Sequence, residues 1–249
     1  MFINYAHRGA SAYAPENTMS AFRLGVEMGA NGIETDIRKT KDGIPVLFHD
    51  ANLLRLAGVD KPIAALTYTE LSGIRINAPD GASSDTIPTL GEFLAFVKNT
   101  TVAIALEIKA EGLEEDVIGA LAAFGVSDRC VVTSFHLHHL EKIKALDPAQ
   151  KIGLLTDTVN DAVLSELKCI GAEQLCPKAD VLSAELVRSL HAAGFSVRAW
   201  GVRDEETMKD AYRCGVDGMT VNFPDRLRLY LCQHGSPDDA AQNRGSSAY

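Results

Sequence analysis

TMSAFRLGVEMGANGIETDIR, residues 18–38, reads as a helix followed by a strand. The amphipathic part, 18–28, is preceded by Asn17-Thr18, residue types that start helices, and followed by Gly29, where a positive φ is needed. Residues 32–38 then form a strand in which Glu34 and Asp36 stand two apart. Side chains alternate along a strand, so both carboxylates point to one face, and Ile33, Thr35 and Ile37 to the other.

The same unit recurs outward from this stretch. Strands are expected at 4–7, 32–38, 46–49, 102–108, 130–134, 151–155, 174–176, 196–200 and 218–221. Amphipathic segments lie between them at 18–28, 113–124, 137–146, 158–167, 183–193 and 205–214. Strand–helix alternation means parallel strands with helical crossovers. About eight such units in a chain of this length fit a closed α/β barrel of the (β/α)8 TIM type. An open doubly wound sheet is the alternative that periodicity does not separate. Residues 51–88, rich in Ala, Gly, Asp and Pro, break the rhythm and read as a small insertion after His49. One domain over residues 1–232 is expected, followed by a polar tail, 233–249, expected to be disordered.

The bulk chemistry narrows the partners. The chain has 249 residues, 46% hydrophobic and 23% charged, with a formal net charge of −9. So acidic a protein gains no counterion-release affinity for a polyanion, and nucleic acid is not expected as a partner. It offers no basic surface for anionic lipid, and no stable membrane association is expected. The cysteines, Cys130, Cys169, Cys176, Cys214 and Cys232, match no zinc spacing, and reduced, mostly buried thiols are expected. Residues 1–6 carry neither a basic n-region nor an apolar h-region, so no signal peptide is expected and the expected location is cytoplasmic.

Three clusters carry chemistry. His7-Arg8-Gly9 leads to Pro15-Glu16-Asn17-Thr18; Glu34-Thr35-Asp36 leads to Asp42-Gly43 and His49-Asp50; the third is Glu107-Ile108-Lys109. In a barrel, Glu34 and Asp36 face the interior, where adjacent carboxylates repel unless a cation joins them. Glu107 stands at the corresponding end of the next main strand, so the three meet at the mouth where barrel active sites lie. Carboxylate oxygens favour hard cations: Mg²⁺ or Ca²⁺, with Mn²⁺ also admissible, and not zinc. A salt-bridge network with Lys109, Arg38 or Arg8 is the competing reading. His7 and His49 both stand at expected strand ends, and two imidazoles can divide the roles of general acid and general base. Arg8 can offer a bidentate fork to a phosphate. His136, His138, His139, His191 and His234 read as surface or structural residues.

The ordered set of these motifs resembles the glycerophosphodiester phosphodiesterase family. It runs His7-Arg8-Gly9, Pro15-Glu16-Asn17-Thr18, Ala21-Phe22, Gly25, Gly29-Ala30, Glu34-Thr35-Asp36, Asp42-Gly43-Ile44-Pro45-Val46 and His49-Asp50. Glu107-Ile108-Lys109, Ser134-Phe135, Val197-Arg198-Ala199-Trp200 and residues 217–224 continue it in order. The resemblance implies a (β/α)8 barrel related to the phosphatidylinositol phospholipases C. It implies that Glu34, Asp36 and Glu107 hold one divalent metal, that His7 and His49 are the acid–base pair, and that Arg8 and Lys109 lie near the phosphate. Trp200 matches an aromatic position facing the glycerol end of the substrate, with core packing an equal reading, and Phe135 is open in the same way. Asn222 would support the site from behind, and Glu16 and Asn17 would shape the first loop and cap its helix.

The implied reaction is metal-dependent hydrolysis of a small-molecule glycerophosphodiester, such as glycerophosphocholine or glycerophosphoethanolamine, to sn-glycerol 3-phosphate and an alcohol. His7 is expected as acid and His49 as base, with the reverse order open. Attack by the glycerol 2-hydroxyl, through a cyclic phosphate, and direct attack by water are both allowed. The alternative is a lysophospholipase D-type phosphodiesterase of the same superfamily, which needs an apolar channel that the insertion, with Tyr68 its only aromatic, does not suggest. A non-catalytic barrel and a sugar-phosphate isomerase or aldolase are weaker alternatives. The oligomeric state is open, a homodimer included.

Overall fold

The computed structural model describes residues 1–235. Its strands are β1 (Ile3–His7), β2 (Gly32–Lys39), β3 (Pro45–Leu47), β4 (Arg75–Asn77), β5 (Ser84–Thr86), β6 (Ala103–Ile108), β7 (Cys130–Ser134), β8 (Lys151–Thr156), β9 (Gln174–Pro177), β10 (Ser196–Val202) and β11 (Gly218–Val221). The helices are α1 (Met19–Glu27), α2 (Leu54–Ala57), α3 (Tyr68–Leu71), α4 (Leu90–Val97), α5 (Glu114–Phe124), α6 (Leu137–Leu146), α7 (Asp161–Cys169), α8 (Ala184–Ala192), α9 (Glu205–Cys214) and α10 (Pro224–His234). Eight parallel strands run in the order β1-β11-β10-β9-β8-β7-β6-β2, and pairing of β1 with β2 closes them into a barrel. This is the (β/α)8 TIM barrel, and closure excludes the open doubly wound sheet.

Alternation along the strands separates two environments. Ile33 and Ile37 of β2, Ile104, Leu106 and Ile108 of β6, and Val197 and Ala199 of β10 belong to one large apolar cluster with helix residues such as Phe22, Phe93, Leu140 and Leu190. The intervening residues, Glu34, Asp36, Glu107 and Arg198, therefore point into the barrel. Helix starts follow side-chain caps: Thr18 accepts from Ala21 N, Asn160 from Val163 N, Ser183 from Leu186 N and Asp204 from Thr207 N. The cap at Asn160 starts α7 at Asp161, so the helix expected at 158–167 is displaced toward the C-terminus.

Three expectations are corrected. Residues 46–49 do not form a barrel strand; β3 is a short antiparallel partner of β2, with Ile37 opposite Leu47. Only residues 40–44 connect the two strands, and a link that short joins antiparallel neighbours, whereas a parallel crossover needs about a dozen residues or more. His49 consequently lies two residues beyond β3 rather than at a strand end. The thiols are not mostly buried: Cys130 and Cys176 are, but Cys214 is half-buried and Cys169 and Cys232 are exposed near helix ends. Finally, Gln233 and His234 continue α10, so the expected tail does not begin at 233, and residues 236–249 lie outside the described residues.

The insertion after His49 has its own small core. Leu53, Ile63, Leu66, Leu71, Ile76 and Ile87 pack with Val46 and Phe48, away from the main cluster.

Candidate active site

Parallel register assembles the carboxylates. Asp36 is opposite Glu107 between β2 and β6, and His7 is opposite Glu34 between β1 and β2. Glu34, Asp36 and Glu107 are all buried, and one oxygen from each lies within 4.8 Å of the others. Burial and the neighbouring Asp36 charge push the Glu34 carboxyl up to about 8 and that of Glu107 up to about 7. Asp36 goes the other way: burial opposes its charge, but Arg8 and Lys109 outweigh burial and hold it well below the usual carboxylate range.

Asp36 is fixed from several sides. Asn17 Nδ2 donates to its Oδ2 at 2.9 Å, and Thr35 Oγ1 donates to Asn17 Oδ1 at 2.7 Å. Arg8 Nε lies 3.2 Å from Oδ2, and Lys109 Nζ 3.4 Å from Oδ1 and 2.6 Å from Glu107 Oε1. Oδ1 of Asp36 nevertheless has no hydrogen bond. The loop that delivers Arg8 and Asn17 is unusual, because both have positive φ, 55° and 56°. Gly9 makes the loop feasible: a Cβ there would stand 2.4 Å from the Ala21 carbonyl carbon, so only glycine lets the chain lie against α1.

Both histidines face the same cavity of about 210 Å³, together with Arg8, Glu34, Glu107, Lys109, Phe135, Arg198, Trp200 and Thr220. His7 Nδ1 lies 2.5 Å from Asn222 Oδ1, and since an amide oxygen only accepts, Nδ1 carries the hydrogen and Nε2 a lone pair. That Nε2 is 3.9 Å from Glu34. Burial and the nearby Arg8 charge lower the His7 pKa to about 4, so the ring is neutral near pH 7. His49 Nδ1 bonds Asp50 Oδ1 at 2.6 Å, and its pKa is also lowered, by burial first. Phe135 and Trp200 form an edge-on pair with centroids 5.0 Å apart, and the Trp200 indole N–H donates to Thr156 O. Trp200 thus lines the cavity wall, and Phe135 is 41% exposed at the mouth.

Two contributors, Arg198 and Arg55, carry no role in the sequence reading, and a third, Asn17, has a different one from that expected. Arg198 is 1% exposed inside the barrel, donating to Gln174 Oε1 and Thr220 Oγ1 and lying 5.2 Å over the Tyr5 ring. Its signal was present: it alternates with Trp200 on one face of the same strand. Arg55, from the insertion, donates to both Glu16 and Asp50, and Glu16 in turn accepts from Arg8 at 2.8 Å. No local pattern marks Arg55. Asn17 does not cap α1, since Thr18 does; it holds Asp36 instead.

Residues 7–226 match the model of the Glycerophosphoryl diester phosphodiesterase family. A glycerophosphodiester phosphodiesterase of Bacillus altitudinis is 35% identical over 234 residues, covering 89% of this chain and 95% of that one. A solved phosphodiesterase of Oleispira antarctica, in complex with the product sn-glycerol-3-phosphate, superposes with a TM-score of 0.81 at 28% identity, covering 92% of this chain and 96% of that one. A glycerophosphodiester phosphodiesterase of Thermotoga maritima gives a TM-score of 0.74 at 28% identity over 92% and 99% of the two chains. With the family model matched over most of the chain, a relative 35% identical and the barrel shared with solved relatives, the chain belongs to the glycerophosphodiester phosphodiesterase family and is an enzyme of that class.

Proposed function

We propose that this enzyme hydrolyses small glycerophosphodiesters, such as glycerophosphocholine and glycerophosphoethanolamine, to sn-glycerol 3-phosphate and an alcohol, using one divalent cation held by Glu34, Asp36 and Glu107. The observation that carries the proposal is the meeting of three buried carboxylates, with Oδ1 of Asp36 accepting no hydrogen bond although Lys109 Nζ stands 3.4 Å away. Carboxylates so close together in a buried site repel unless a cation joins them, and the all-oxygen donor set fits Mg²⁺, Ca²⁺ or Mn²⁺. When bound, the ion neutralises phosphate charge and stabilises the charge that develops in the transition state.

The chain's own residues supply the rest. Arg8 and Lys109 add positive charge beside the phosphate, and the buried Arg198 balances the carboxylates from below. Their hydrogen-bond partners support one order for the histidines. His7, neutral and with Nε2 open toward the cavity, takes a proton from the attacking hydroxyl. His49 gives a proton to the leaving alkoxide: burial lowers its pKa, but the Asp50 carboxylate at its Nδ1 and an anionic phosphate beside it oppose that shift and favour the imidazolium when substrate is bound. This order is the reverse of the one first expected. Attack by either the glycerol 2-hydroxyl or water is compatible with it. Phe135 and Trp200 form an apolar wall for the glycerol carbons.

One observation supports a small substrate: the apolar residues of the insertion are occupied in their own core rather than lining a channel. The Oleispira relative binds sn-glycerol-3-phosphate, the product proposed here. Parallel assays with glycerophosphocholine and lysophosphatidylcholine under one metal test the proposal. Faster turnover of glycerophosphocholine is expected; preference for the acylated substrate would favour the lysophospholipase D-type reading.

A further inference from the structure

Beside the catalytic mouth, three side chains outside the machinery converge on one point. Glu111 lies in the loop between β6 and α5, and His138 and His139 lie in the first turn of α6. His138 Nε2 is 2.9 Å and His139 Nε2 3.7 Å from the same oxygen, Glu111 Oε1, and all three ligand atoms lie within 4.8 Å of one another. His139 is 2% exposed, and its Nδ1 bonds the buried Glu114 at 2.7 Å.

We propose that Glu111, His138 and His139 form a second metal site, for a transition-metal cation such as Zn²⁺, separate from the oxygen-only triad. Two imidazoles and one carboxylate with an open fourth position are a zinc-type donor set. A carboxylate on the far nitrogen of a ligating histidine is the support such sites carry, and Glu114 provides it. With Nδ1 of His139 bonded to Glu114, Nε2 is the ring nitrogen that faces Glu111. At 3.7 Å that contact is too long for a hydrogen bond; a cation satisfies it. Lys142 Nζ stands 3.5 Å from Glu111 Oε2 and 3.4 Å from Glu114 Oε1. Its side chain is half exposed and can swing outward when a cation enters. Occupation would tie the loop carrying Glu111 to the start of α6, next to Lys109 and Phe135.

The test uses the full-length protein in excess Mg²⁺, so that the oxygen triad is saturated, and titrates Zn²⁺ calorimetrically into wild type, Glu111→Ala and His138→Ala. Both substitutions are at exposed side chains, which protects the fold. One equivalent of Zn²⁺ should bind wild type, either variant should weaken binding by roughly tenfold or more, and hydrolysis in Mg²⁺ alone should be unchanged in both. Absence of Zn²⁺ binding to wild type in excess Mg²⁺, or binding of equal strength in all three proteins, would overturn the proposal.

Discussion

Replacing Asn17 with alanine should damage the protein through Asp36. Asn17 is fully buried and makes two strong hydrogen bonds, one to the charged Asp36 Oδ2 and one from Thr35 Oγ1. A bond to a charged group contributes about 1.5–3 kcal/mol, and a buried hydroxyl left unpaired costs about 1–3 kcal/mol. Asn17 also holds φ at 56°, a conformation asparagine tolerates, and alanine there costs about 1 kcal/mol more. These terms share atoms and do not add fully; about 4 kcal/mol of lost stability in urea unfolding is expected, measured in chelator. Asn17→Gly should lose about 1 kcal/mol less than Asn17→Ala, because glycine removes only the backbone part. The freed carboxylate should also bind metal about 10–100-fold more weakly, as when a supporting hydrogen bond is removed from a ligand. A variant within about 1 kcal/mol of wild type, with unaltered metal affinity, would refute the assignment of Asn17 as the residue that positions Asp36.

Other outcomes follow from the same geometry. His7→Ala and His49→Ala should each lower kcat by about 10²–10⁴-fold with unfolding midpoints near wild type, and near-normal turnover in either would remove that residue from the acid–base pair. Arg55→Ala should cost less than about 1 kcal/mol of stability, because the Arg55 side chain is half exposed, yet reduce kcat by about tenfold with little change in KM as Asp50 and His49 lose their anchor. In chelator, stability should fall as pH rises from 6.5 to 8: Glu34 and Glu107, raised to about 8 and about 7, stay protonated in the fold after the unfolded chain has lost those protons. His7, lowered to about 4, acts oppositely but only between about pH 4 and 6.5. Saturating Mg²⁺ should abolish the fall above pH 6.5, and metal binding near pH 6 should release protons to buffer; a flat profile in chelator would contradict the burial of these carboxyls without a cation.

The parts of this site that follow a short period were legible. Glu34 and Asp36 fall on the interior face because strands alternate every two residues, and Glu107 meets Asp36 because the parallel strands β2 and β6 start in register, Gly32 opposite Ala103. His49 was placed at a strand end because an apolar run cannot reveal its own direction; the short connection 40–44 held the information, since it is too short for a crossover. The thiols at Cys169 and Cys232 were misjudged because apolar neighbours in sequence point to other sides of a helix. Arg55 was not legible at all, since its partners Glu16 and Asp50 are joined to it only by how the insertion folds back. The convergence of Glu111 with His138 and His139 depends likewise on packing of the β6–α5 loop against α6.

Release of glycerol 3-phosphate from glycerophosphocholine, measured in EDTA and again after Mg²⁺, Ca²⁺ or Mn²⁺ is restored, tests the central claim most directly when wild type is compared with Asp36→Asn. Wild type should be silent in EDTA and recover with a hard cation, while Asp36→Asn stays silent under every metal. Full activity in EDTA, or an active Asp36→Asn protein, would contradict a cation held by Glu34, Asp36 and Glu107.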